Sequence, residues 1–442
     1  MITSITFQWI FTTVSGSISL CSEGINLLRL YIDPGTGSML FSILIGIIGV
    51  VVFFARAAVV KLKFILSGGR KSKVDKNKLP IVIFSDHKRY WNVFRPICEE
   101  LDKRGQEAWF YTASPDDPAL EFGKSSKNIH CEFIGEGNKA FSKLNMLNAY
   151  IVLSTTPGLD VYQWKRSKTV NYYVHILHSP GNVSMYRMFG LDYYDALLLS
   201  CEYQTNQVRQ LEALRKLPAK EIKLTGLTYL DEELKRFKAL PARRENGGTP
   251  TVLLAPSWGP SGLLSKYGED FVNELLETGY NIVIRPHPQS FTSEKGMLDK
   301  LMKKFPESEK LHWNRDNDNF NVLSRADIMI SDFSGVIFDF LFVFDKPVMY
   351  ANASFSKDPY DAWWLDETPW TLEALPKVGM AIDDNYQGKL KSMIDECIHN
   401  PAYKSGRDEL RDKGWKNIGG AAAAVCDYLT DKLNELNAKE LS

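Results

Sequence analysis

Residues 326–345 read A-D-I-M-I-S-D-F-S-G-V-I-F-D-F-L-F-V-F-D. The pattern predicts a short buried strand at 327–330, a tight polar turn at 331–335 and an apolar helix at 336–344 whose first turn points back at the strand end. Such a unit makes an anion site. The first backbone N–H groups of a helix lack internal partners and sit at the positive end of its dipole, and Ser331, Ser334 and Gly335 let an oxygen approach closely. Ser and Asp are also ordinary helix N-caps, and turns of this kind occur without any ligand. The surrounding sequence has to decide between the two.

Outward from this stretch, strands alternate with helices in both directions. Upstream, strands are expected at 251–255, 281–285 and around Leu311, with helices at 263–278 and 295–305; downstream, a strand is expected at 347–350 and closing helices at 385–400 and 419–436. Pro241 to Pro250, P-A-R-R-E-N-G-G-T-P, reads as an interdomain linker. Before it the same alternation runs from Leu79. Strands are expected at 81–84, 108–112, 131–134, 150–154, 170–178, 196–200 and 222–225, with helices at 91–104, 139–147 and 203–216. Alternation of this kind implies mostly parallel sheets covered on both faces. The expected architecture is therefore α/β, with two tandem Rossmann-like domains at 79–240 and 251–442.

The first 78 residues have a different character. Residues 39–55 carry no charge, and the apolar run extends to Val60, long enough for a spanning helix at the short end of the usual ~17–25 residues. Eight basic residues and one acid follow between Arg56 and Lys78. By the positive-inside rule this predicts a transmembrane helix at 39–60, a basic linker at 61–78 that attracts anionic membrane lipids, and a cytoplasmic location for the larger part. No basic region precedes the apolar run, which argues against a cleaved signal peptide, while an interfacial helix and a buried core helix stay alternatives. Residues 1–38 form an N-terminal segment without a clear assignment, and whether residues 1–20, uncharged but half polar, also enter the membrane is left open.

Elsewhere 45 basic residues face 52 acidic ones within a balanced total of 53 and 53, so nothing resembles a nucleic-acid surface. The six cysteines form no C-x-x-C pair, which fits a reducing compartment. No carboxylate pair with metal-ligand spacing is apparent. Neither a metal nor a cofactor is expected.

In open α/β sheets ligands bind beyond the carboxyl ends of the strands. His178 stands at such an end before Ser179-Pro180-Gly181, and strand alternation puts His175 on the opposite face. Arg285-Pro286-His287-Pro288 places a guanidinium and an imidazole on a rigid strand end, a pair suited to a diphosphate. Pro256-Ser257-Trp258-Gly259 supplies a wall for a nucleotide. A histidine in each domain and an anion turn in the second describe a two-domain enzyme acting on a nucleoside diphosphate derivative.

These motifs, from His178 through Ala255-Pro256-Ser257-Trp258 and Arg285-Pro286-His287-Pro288 to Ser331-Asp332-Phe333-Ser334-Gly335 and Asp339, resemble the CDP-glycerol glycerophosphotransferase family of teichoic-acid-type polymer synthesis. The chain departs from the family pattern at Ser179-Pro180-Gly181, where Gly-Thr-Pro is usual, and at Gly259, where an Arg is common. The resemblance implies a GT-B fold, with the nucleotide held by the C-terminal domain and a lipid-linked or glycan acceptor entering from the N-terminal one. It implies a CDP-glycerol or similar CDP-alcohol donor and release of CMP. On that expectation His178 is a general base, and His287 and Arg285 neutralise the diphosphate. Ser257, Ser331, Ser334 and Gly335 contact the donor, and Asp332 and Asp339 are structural or ribose-contacting. Two alternatives remain at this level: a GT-B glycosyltransferase using a nucleotide sugar, and a membrane-tethered interaction protein without catalysis.

Overall fold

Among the described residues thirteen strands form two sheets, and each strand pairing within them is parallel. In the first sheet β1 (Leu79–Ser85), β2 (Ala108–Thr112), β3 (Ile129–Phe133), β4 (Asn148–Ser154), β5 (Thr169–Ile176), β6 (Ala196–Leu199) and β7 (Glu221–Leu224) lie in the order 3-2-1-4-5-6-7. In the second, β8 (Thr251–Leu254), β9 (Asn281–Ile284), β10 (Leu311–Trp313), β11 (Ile328–Ser331), β12 (Val348–Ala351) and β13 (Gly379–Ile382) lie in the order 10-9-8-11-12-13. Both orders reverse direction beside their first strand, which is the doubly wound pattern and opens a crevice at the strand ends. This computed structural model describes residues 51, 77–241, 248–316, 318–332, 334–351, 357–358 and 360–441. The residues from Asn77 onward belong to one compact unit, Lys73–Ser442.

Side-chain alternation explains why each sheet is buried twice. In β8, Val252 and Leu254 face one apolar core while Leu253 faces another, and β11 repeats the division with Ile328 and Ile330 against Met329. The strands sit side by side in register, Ile330 opposite Leu254 and Met349 opposite Ile330. The core holding Leu253 and Met329 continues into the first lobe. Helix Thr228–Lys238 makes that connection, since Phe237 meets Phe344 edge to face at 4.9 Å between ring centres.

The organising stretch departs from expectation in one respect. Its helix is α-helical only over Val336–Asp339 and then widens into a π-helical turn, Phe340–Phe344, whose five side chains are all buried. A segment apolar on every side can be accommodated only where it is covered on every side. Helix Ala421–Leu441 follows the second lobe in the chain but packs on the first. Cys426 lies against Ile97, Arg104 pairs with Asp427 at 2.6 Å, and Glu440 pairs with Lys78 and accepts from Tyr150 Oη at 2.7 Å.

The expected span at 39–60 lies outside the described residues apart from Val51, as does the basic linker up to residue 76 and most of the stretch 241–250. Among the described residues no helix is long and apolar enough to cross a membrane.

Candidate active site

The carboxyl ends of both sheets face one cleft. Its central compartment, about 410 Å³, is lined from the first lobe by Arg89 and Tyr90 beyond β1 and by His178 and Ser179 beyond β5. From the second lobe come Pro256 beyond β8, Arg285 and His287 beyond β9, and Ser334, Gly335 and Asp339 beyond β11. Two further compartments adjoin it. One, about 540 Å³, is charged and includes Arg95, Glu232 and Arg236; the other, about 420 Å³, includes Pro157, Leu177, Met185, Tyr186, Phe338 and Tyr360.

His178 lies two residues past β5, beside the end of β4, because Ser154 and His175 are paired in register across these strands. Thr155 Oγ1 is therefore 2.9 Å from His178 Nδ1, and the Tyr186 hydroxyl is 3.5 Å from the same nitrogen. Burial and then the charge of Arg89 push the imidazole down to about 4, so it is neutral at neutral pH. His175 does not line the central compartment, but it meets the same Tyr186 hydroxyl as His178, so the two rings converge on that tyrosine although strand alternation predicts opposite faces. His175 is fully buried, with Nε2 3.1 Å from the Tyr186 hydroxyl.

His287 reaches the cleft from the opposite side. Its Nδ1 accepts from Gln289 N at 3.1 Å, which fixes the ring within the turn Pro286 to Ser290. Burial, then Arg89, lowers its proton affinity as well. Arg285 lines the same compartment, but its guanidinium donates to Asn314 Oδ1 and to the Asp316 carbonyl at 2.7 Å. Burial lowers its pKa too. Asp339 accepts from the Tyr229 hydroxyl at 2.5 Å, and burial raises its carboxyl to about 7.

The expected site residues therefore divide. His178, His287, Arg285, Ser334, Gly335 and Asp339 converge on the central compartment. Ser257, Ser331 and Asp332 lie behind its wall. The Ser331 hydroxyl donates to the Ala255 carbonyl at 2.6 Å, and the buried Asp332 carboxylate accepts from Ser257 N at 3.0 and 2.9 Å and from Leu263 N at 3.0 Å. These bonds join the β8 and β11 turns to the start of helix Leu263–Glu277. Trp258 is 49% exposed and does not line the compartment. Among the described residues no three His, Cys, Asp or Glu side chains cluster so as to hold a metal ion.

Sequence reasoning missed Arg89. Its only signal was position, four residues past the end of β1, where an open sheet presents its ligands.

Residues 240–362 match the family model described as CDP-glycerol:poly(glycerophosphate) glycerophosphotransferase, which bears out the resemblance read from the motifs. Among solved structures the fold is similar to that of the wall teichoic acid polymerase TagF, with a TM-score of 0.53 and 15% identity over 87% of this chain and 98% of that one. A histidine-to-asparagine TagF variant soaked with CDPG gives a TM-score of 0.52 and 16% identity, again over 87% and 98% of the two chains. The UDP-GlcNAc 2-epimerase from Neisseria meningitidis bound to UDP-GlcNAc is similar too, with a TM-score of 0.50 and 14% identity over 79% of this chain and 99% of that one. No curated protein matches the chain. At these identities the structural likeness establishes a GT-B-like α/β fold.

Proposed function

We propose, from the match of residues 240–362 to the glycerophosphotransferase family, that this chain transfers glycerol phosphate, or a related polyol phosphate, from a CDP-alcohol to an acceptor hydroxyl in cell-envelope polymer synthesis. One observation carries the reading. Histidines from opposite lobes, His178 and His287, meet in a single cleft beside Ser334 and Gly335 of the matched segment.

The acceptor oxygen attacks the phosphorus that bears the alcohol, the bond from that phosphorus to the CMP oxygen breaks, and CMP leaves. A new phosphodiester results. The acceptor proton passes to His178, a role worth ~10²–10⁴-fold in rate. With Nδ1–H donating to Thr155 Oγ1, the Nε2 lone pair is the one left to accept it. The negative diphosphate, once bound, raises the proton affinity of the imidazole from its low resting value. His287, whose Nδ1 accepts from Gln289 N, carries its proton on Nε2 and donates it as a hydrogen bond to the departing phosphate, and the small residues Ser334 and Gly335 let its oxygens approach the helix start. The compartment beyond His178, with Tyr186, Phe338 and Tyr360, suits an acceptor that offers both apolar and hydroxyl-bearing surface. On this reading the acceptor is lipid-linked or a glycan, and the 39–60 span and basic cluster hold the enzyme at the cytoplasmic face of the membrane.

A nucleotide-sugar donor is the second reading, because an enzyme bound to UDP-GlcNAc shares the fold. The test is product identity. Membranes containing the full chain are given CDP-glycerol, CDP-ribitol or nucleotide sugars with a native lipid extract, beside His178→Ala and His287→Ala variants. CMP release from one CDP-alcohol, lost in both variants, supports the proposal; nucleoside diphosphate release from a sugar donor alone overturns it.

A further inference from the structure

The charged side chains along the cleft are mostly committed to one another. Lys88 pairs with Asp116, Arg95 with Glu99 and Glu232, and Arg236 with Glu233 and Asp318. Arg285, the cation expected to meet the donor, is held by Asn314 and the Asp316 carbonyl. Arg89 differs. Among the described residues no carboxylate pairs with its guanidinium, which lies 4.8 Å from the centre of the Tyr90 ring and lines both the central and the charged compartments.

It lines the compartment that both histidines line. Arg89 depresses the proton affinity of His178 on its own lobe and of His287 on the other, so its charge reaches both. The acid that lines both compartments, Asp339, does not fully cancel it, because a carboxyl raised to about 7 is largely protonated just below neutral pH. An exposed guanidinium with no carboxylate partner among the described residues, in a cleft whose two imidazoles burial keeps neutral, offers a receptor for a polyvalent anion. Arg keeps its charge and offers parallel N–H donors matched to phosphate oxygens.

We propose that Arg89 is the diphosphate-binding cation of this site, gripping the donor's diphosphate from the first lobe while His287 and the Ser334–Gly335 turn hold it from the second. The assignment rests on the CDP-alcohol reading for its physiological ligand, but the anion chemistry stands apart from it. As the phosphorus–oxygen bond breaks, charge gathers on the departing CMP, and a guanidinium reaching it from the acceptor's lobe stabilises that charge only when both lobes are in place.

The test separates the two claims. Binding of inorganic pyrophosphate and of CDP-glycerol to the full chain in detergent is measured by calorimetry for wild type, Arg89→Gln, Arg89→Lys and Lys88→Gln, with melting curves to confirm folding. Loss of one charge-assisted phosphate contact predicts that Arg89→Gln weakens pyrophosphate about 10-fold or more, that Arg89→Lys recovers part of this, and that Lys88→Gln changes it less than about 3-fold. In turnover, Arg89→Gln raises the donor KM and lowers kcat, leaving the acceptor KM unchanged. Pyrophosphate binding that is absent in wild type, or equal in wild type and Arg89→Gln, overturns the assignment, as does a change confined to the acceptor KM. Pyrophosphate affinity that falls in Arg89→Gln while no CDP-alcohol is turned over keeps Arg89 and overturns the donor reading instead.

Discussion

Thr155 Oγ1 lies 2.9 Å from His178 Nδ1, so the imidazole at the head of the cleft is oriented by a hydroxyl. A hydroxyl orients the ring without adding negative charge, and burial then holds the folded imidazole near 4, against 6.5 for a free one. The acid limb of kcat/KM, which reports the free enzyme, is expected near pH 4 and not near 6.5. Stability follows the same group. Between pH 6.5 and about 4 the unfolded chain takes up a proton that the folded one refuses, so the contribution is complete above pH 6.5 and is lost as pH falls toward 4. Thr155→Val frees the ring and should lower kcat by about 10- to 100-fold through misorientation, with little change in donor KM. An acid limb near 6.5 in the wild type would contradict the buried, neutral imidazole.

Asp339 carries the opposite slope. Its folded carboxyl, raised to about 7 from 3.8, keeps its proton where the unfolded one has lost it, so stability falls as pH rises from 3.8 to about 7. Asp339→Asn keeps an acceptor for the Tyr229 hydroxyl and removes the titration. From pH 5 to pH 8 the stability measured by urea denaturation should fall less, or rise more, in the variant than in wild type; an identical change in both would place the titrating group elsewhere.

Asp332 joins three segments through bonds from Ser257 N and Leu263 N. Asp332→Ala leaves these buried donors without their acceptor and should cost about 3 kcal/mol, the scale of hydrogen bonds to a charged group. Asp332→Asn, which retains an acceptor oxygen, should lose less. Chemical denaturation gives both values. A fully stable Asp332→Ala variant would mean that the turn is held from elsewhere.

Helix Pro401–Gly414 meets helix Trp370–Val378 at Gly406, where an added Cβ would stand 1.9 Å from the Lys377 carbonyl oxygen. Ala in place of Gly inside a helix ordinarily gains ~1 kcal/mol. Overpacking costs ~1–3 kcal/mol, and toward its upper end here because the obstructing atom is backbone and cannot change rotamer. Gly406→Ala should therefore destabilise the protein despite its better helix propensity, as a lower melting temperature. A rise would show that the two helices separate freely.

Local pattern carried much of the architecture. Residues 108–112 were placed as a strand from their apolar run, and the parallel sheets followed from alternation alone. The helix at 370–378 and the strand at 379–382 were missed because Pro376 and a four-residue G-M-A-I run give no periodic signal. Site legibility followed a similar division. R-P-H-P and the turn at Ser334 and Gly335 announce themselves through rigidity and small size. Ser331 and Asp332 belong to the same motif, yet whether a hydroxyl or carboxylate faces the cleft or a neighbouring backbone depends on how β8 lies beside β11, a contact 75 residues away in the chain. Arg89 was invisible for the converse reason: its neighbours are ordinary, and its lack of a carboxylate partner among the described residues is a property of three dimensions.

The helix at Ala421–Leu441 gives the first lobe a dependence on time. At ~5–20 residues per second a ribosome needs on the order of 10–40 s to pass from the end of that lobe's own sheet to this helix. Through that interval the side of Trp91–Lys103 that receives Cys426, and the partners of Glu440 on Lys78 and Tyr150, stay uncovered. The lobe made first is thus finished last, and a nascent chain holding every strand of both sheets still presents an apolar surface that chaperones can recognise.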